Sequence, residues 1–87
     1  GLRLNYYSRL AEARAMAQVD ELEEELRDRF GPLPPEAEAL LNAHRARIWA
    51  SGKGYSRVRF KGEEIEVLAK LGWETWPLAE VLKEVLL

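Results

Sequence analysis

Apolar residues recur at intervals of three and four along the first half of the chain and alternate at intervals of two in part of the second. From Leu2 to about Ala17 the sequence is Ala-rich and free of Gly and Pro, which predicts a helix. On a helix, Leu4, Tyr7, Ala11 and Ala15 form one apolar stripe, and Leu2, Tyr6, Leu10, Ala13 and Ala17 form another. A helix apolar on two sides is usually sandwiched between neighbours, so one stripe is expected to meet something outside these residues. A second helix is predicted from Asp20, with Asp20 as N-cap and Glu23 at N3, and its acidic first turn suits the helix dipole. It stops at Gly31, where glycine takes a positive φ cheaply and Pro32, Pro34 and Pro35 cannot extend the ladder. Leu22, Leu26 and Phe30 are expected to face the core, leaving Glu21, Glu24, Glu25 and Asp28 as a ridge on another side.

Pro35 suits the first position of a third helix running to about Ser51, with Ala37, Leu40, Leu41, His44 and Ile48 on one face and Gly52 and Gly54 at its end. Tyr55 to Phe60 then alternates, with Val58 and Phe60 opposed to Arg57 and Arg59, and Glu64 to Ala69 alternates likewise. A hairpin turn at Lys61-Gly62 joins the two strands. The last segment turns at Gly72 and starts a helix near Pro77, with Leu78, Val81, Leu82 and Val85 as its apolar stripe. The fold class is therefore α+β: three N-terminal helices, a β-hairpin and a C-terminal helix. Residues 1–87 are read as one domain, helical over 2–51, with the hairpin and terminal helix over 55–87.

Composition narrows the function classes. The chain has 87 residues and no Cys, which excludes disulfides, thiol nucleophiles and thiolate metal sites. No run has the roughly 18 apolar residues needed to span a bilayer, and the N-terminal segment lacks the apolar core of a signal peptide, so the reading is cytoplasmic with no membrane partner. The chain begins with Gly and its single Met is Met16, as expected of a piece of a longer protein. A net charge of −2 hides strong segregation. Asp20 to Glu38 holds eight acids and two bases, a balance of −6, whereas Arg45 to Lys61 holds six bases and no acid, a balance of +6.

Each charged surface has two readings. The carboxylate ridge is either solvated surface or a docking face for a basic partner; without His or carbonyl ligands it is a poor metal site. The basic segment, with Trp49, Tyr55 and Phe60 interleaved, suggests a nucleic-acid contact through Arg45, Arg47, Lys53, Arg57 and Arg59. Against that, hairpin pairing sets Arg57 and Arg59 on the same sheet face as Glu64 and Glu66, where cross-strand ion pairs neutralise them, so direct nucleic-acid binding is not expected. His44 is a lone histidine on an apolar face and supports no triad. Trp73 and Trp76 are expected to cap the core, or to anchor an interface if exposed. With no phosphate loop and no other catalytic motif, the chain is not expected to be an enzyme.

Two stretches carry a resemblance. Arg3 to Ala13 (RLNYYSRLAEA) followed by Asp20 to Arg47, with DRFGPLP over Asp28 to Pro34, resembles the C-terminal domain of bacterial transcription-repair coupling factor, Mfd. The resemblance covers about the first half of the chain, and DRFGPLP marks a helix stop with Phe30 beneath a Pro-rich turn. It implies a regulatory domain of an ATP-driven DNA translocase that displaces stalled RNA polymerase, with ATP bound by other domains and no cofactor here. In that family the domain packs on a UvrB-like module of the same polypeptide and hides its UvrA-binding surface. Carried onto this sequence, the docking carboxylates are Glu25 and Asp28, two members of the ridge. The alternatives are a small nucleic-acid-binding module built on the basic segment 45–61 and an adaptor for an external protein, using the exposed stripe of the first helix or the Trp pair.

Overall fold

In a computed structural model, residues 2–86 are described, with side chains from Asn5 onward. The element order is α1 (Leu2–Glu12), α2 (Met16–Phe30), α3 (Pro35–Gly52), β1 (Val58–Lys61), β2 (Glu64–Ala69), β3 (Gly72–Pro77) and α4 (Leu78–Leu86). The class is α+β, as the periodicities predict, with a third strand added. The chain divides into two compact units, residues 1–44 and 45–87.

In the first unit the expected helix to Ala17 ends at Glu12, and the second helix begins at Met16 instead of near Asp20. The cause is Gln18. Its side-chain oxygen accepts the backbone N–H groups of Arg14 at 2.7 Å and Ala15 at 3.0 Å, holding Ala15 extended as the N-cap. Asp20 therefore lies inside α2, on its exposed side. α1 packs on α2, and among the described residues Leu10, Val19, Leu22 and Leu41 are buried in this unit. Burial of each such side chain contributes about 1.5–3 kcal/mol. α2 stops at Gly31, whose φ of 80° and ψ of −158° lie in a region that side-chain-bearing residues avoid. Pro35 opens α3 as expected, and the Pro34 carbonyl accepts the N–H groups of Ala37 and Glu38.

In the second unit α3 ends in a Schellman motif. The Tyr55 N–H reaches the Ala50 carbonyl and the Gly54 N–H reaches that of Ser51, both at 3.1 Å, with Gly54 at φ 87°. Gly52 precedes this cap in the helix proper, and neither glycine has an atom within 4 Å of the place a Cβ would occupy. Gly54→Ala is therefore expected to lower stability by about 1 kcal/mol, and Gly52→Ala to raise it by about 0.4–1 kcal/mol, as read by urea denaturation.

The three strands form an antiparallel sheet in the order β1-β2-β3. Lys61 pairs with Glu64, so the hairpin loop is Gly62-Glu63, one residue later than expected. Gly62 supplies the positive φ, 59°, at the first loop position, which is the type II′ pattern. The turn expected at Gly72 is instead the start of a strand, because a two-residue loop, Lys70-Leu71, folds Gly72–Pro77 back along β2 with Ala69 opposite Gly72, while the helix expected near Pro77 begins at Leu78. Pro77 ends this edge strand, where a missing N–H is tolerated. α4 then packs on β2 and β3, burying Val81 with Ile65 and Val67 of the central strand and with Ala46, Trp49 and Ala50 of α3. Arg45 is buried as well.

Candidate functional site

The acidic ridge stands where helical spacing puts it. Glu21, Glu24, Glu25 and Asp28 are all on the outer side of α2, opposite its buried Val19 and Leu22. The four are not equivalent. Arg9 of α1 donates to the Glu25 carboxylate, so one of the two carboxylates implied as docking groups already has an internal partner. That hydrogen bond, with the charge of Glu21 nearby, raises the Arg9 guanidinium above its ordinary value. Among the described residues no ion pair reaches Glu21, Glu24 or Asp28. On the flank of the ridge Arg27 bridges Glu23 at 2.9 Å and Glu38 at 2.7 Å, which ties α2 to the start of α3.

Phe30 is the main departure on the apolar side. It is 58% exposed instead of packed in the core or beneath the Pro-rich turn, and it meets the edge of the Tyr6 ring at 6.1 Å. Together with Leu26, Pro34, Ala37 and Leu40 these rings line an open apolar groove of about 810 Å³ within the first unit. Periodicity assigns Tyr6 and Phe30 to apolar faces, but the depth of burial depends on neighbours that periodicity does not reveal.

The basic segment is rearranged more deeply. Arg45, a candidate surface contact, is 5% exposed and engaged by interactions of its own, so it offers nothing to an external partner. Arg59 pairs with Glu66 at 3.3 Å, as cross-strand pairing predicts, and also sits 3.7 Å from the centre of the Trp73 ring. Arg57 does not gain the expected carboxylate: its place in the register is opposite Leu68, whose N–H its backbone carbonyl accepts at 2.9 Å. Arg47 is exposed and lies 5.8 Å from the Phe60 ring. Lys53 contacts Trp49 and pairs with Glu84 at 3.3 Å. Tyr55 donates to Glu74, and its burial, then the Glu74 charge, keep the phenol protonated above the ordinary tyrosine range. Trp73 and Trp76 are both partly exposed on β3, and Trp76 meets Trp49 edge-on at 5.9 Å. His44 is half-buried and has a partner, in keeping with a structural role.

Two exposed surfaces of opposite sign, with no assembled catalytic constellation among the described residues, are what the geometry presents. Among those residues no group of three or more metal-ligating side chains converges, and no helix is long and apolar enough to cross a membrane. The chain matches the TRCF domain over residues 1–71, that is, through all of the first unit and the β-hairpin of the second. It belongs to the TRCF-domain family. The TRCF domain is a small non-catalytic domain. Transcription-repair-coupling factor of Escherichia coli is 39% identical over 70 residues, covering 78% of this chain and 6% of that protein. Transcription-repair-coupling factor of Haemophilus influenzae is 45% identical over 47 residues, 54% of this chain and 4% of that protein. The TRCF chain thus spans about a twentieth of the length of these curated relatives. No solved structure matches it.

Proposed function

We propose that this TRCF domain is the autoinhibitory docking element of a transcription-repair coupling factor. It packs against a UvrB-like module of the same polypeptide and masks the UvrA-binding surface until the protein engages stalled RNA polymerase. In this reading ATP-driven movement along DNA and polymerase binding belong to other parts of the protein, which also hold the ATP, and the whole acts in the cytoplasm. The observation that carries the proposal is the set of carboxylates Glu21, Glu24 and Asp28 on one face of α2, in a chain of this family. Glu25 contributes less than the resemblance implies, because a partner arginine must compete with Arg9 for it.

A mask of this kind works by mass action. Tethering supplies a high effective concentration, so modest, screened charge pairs are enough to hold the closed state and weak enough to be released. Opening raises the apparent UvrA affinity in proportion to the open fraction. In the full-length protein, Glu24→Lys with Asp28→Lys is expected to tighten UvrA binding about 2–30-fold, the scale expected when two exposed ion pairs are removed. Calorimetric titration with UvrA reads this. A well-folded double variant with unchanged UvrA affinity overturns the proposal.

A further inference from the structure

A second surface, confined to the second unit and independent of the masking role, is unclaimed by that reading. Arg47 and Ser51 of α3, Tyr55 and Arg57 of the following loop, Arg59 of β1 and Trp73 of β3 line a cleft of about 470 Å³. The volume falls within the range of small-ligand sites. The second unit carries eight bases and six acids, a balance of +2, against five bases and nine acids, −4, in the first. The domain's acidic total therefore does not describe the field at this cleft.

Pairing decides which cations are free. A hairpin loop at Lys61-Gly62 would set Arg57 opposite Glu66 and Arg59 opposite Glu64. The loop lies one residue later, so every pairing moves by two residues: faces are preserved while partners change. Glu66 pairs with Arg59, Glu64 comes to stand opposite Lys61 in the register, and Arg57 is left opposite an apolar residue. Arg47 likewise has no carboxylate partner among the described residues, only the Phe60 ring. The cleft thus presents two uncompensated guanidiniums and the Ser51 hydroxyl, next to a third guanidinium 3.7 Å from the Trp73 ring centre. Phosphate oxygens are natural acceptors for the first set. An arginine–aromatic pair with its outer side exposed is a stacking surface for an unpaired base.

We infer that this cleft binds single-stranded nucleic acid, with backbone phosphates on Arg47 and Arg57 and a base laid on the Arg59–Trp73 pair. Charge alone fits an acidic peptide as well; the aromatic platform beside the free arginines favours the nucleic acid, since every base offers a flat face and a Glu or Asp side chain offers none.

The test is a fluorescence-anisotropy titration of this chain with labelled oligothymidylate of about 8 nucleotides. Saturable binding is expected at about 50 mM salt, with a dissociation constant of about 10⁻⁶–10⁻⁴ M. Two phosphate contacts on a single strand predict about sevenfold weaker binding at about 200 mM salt. Arg47→Gln with Arg57→Gln should weaken binding at least tenfold and flatten the salt dependence. Glu66→Gln should strengthen it a few-fold by releasing Arg59, a gain that a merely misfolded variant cannot give. The inference is overturned by absence of binding at low salt, or by binding unchanged in the Arg47/Arg57 variant. It is also overturned if polyglutamate of equal charge competes as well as unlabelled oligothymidylate, which would make the cleft a peptide site.

Discussion

Replacing Ile65 with Ala is expected to lower the unfolding free energy by about 2–5 kcal/mol. Ile65 is fully buried in the central strand, opposite Phe60 on one side and Trp76 on the other. All three point to the same face of the sheet, as directly paired residues do. Both neighbours are already partly exposed, and each is tied elsewhere, Phe60 to Arg47 and Trp76 to Trp49. They cannot both collapse into the space that truncation leaves, so the cavity term adds to the lost transfer energy. A chain of 87 residues has roughly 4–13 kcal/mol to lose, which places the variant close to unfolding. Leu71→Ala is the matched control. Leu71 sits at the tip of the Lys70-Leu71 loop and is fully exposed, so its truncation should stay within about 0.5 kcal/mol of the parent. Urea titration followed by tryptophan fluorescence is suited to the pair because Trp49, Trp73 and Trp76 all lie in the second unit. A loss below about 1 kcal/mol for Ile65→Ala, or equal losses for the two variants, would contradict the packing described.

How much of this was legible in the sequence depends on how local each determinant is. Gly31, Pro35, Gly54 and the Ile65/Val67 alternation act through their own backbone or their immediate neighbours, and the elements they bound came out where expected. The break after Glu12 did not, because alanine favours helix on both sides of it and the decisive group is the carboxamide of Gln18, folded back on Arg14 and Ala15. The strand Gly72–Pro77 was hidden for a different reason. Its Trp and Thr residues favour strands, but the Gly and Pro that frame them read as turn signals, and only pairing with β2 resolves the conflict. Missing it also hid the cleft, since Trp73 reaches Arg59 only through that strand. The acidic ridge was fully legible as a helix face, whereas Arg9 capturing Glu25 requires the packing of α1 on α2.

Arg45 and Arg47 provide the sharpest separation of structural from surface roles, because two residues apart on one helix they were indistinguishable as basic candidates. Arg45→Ala is expected to cost about 2–4 kcal/mol. The side chain is nearly inaccessible and engaged, so truncation removes both the packing of its stem and the interaction that its charged head makes. Arg45→Met should recover the part that belongs to the stem and none that belongs to the head. Arg47→Ala, at an exposed position with only an aromatic neighbour, should leave stability within about 0.5 kcal/mol while weakening oligothymidylate binding. Equilibrium denaturation and anisotropy on the same three proteins decide the matter. If Arg45→Ala unfolds at the parent's urea midpoint, the burial of that guanidinium is not structural; if Arg47→Ala proves the more destabilising, the division between the two arginines is reversed.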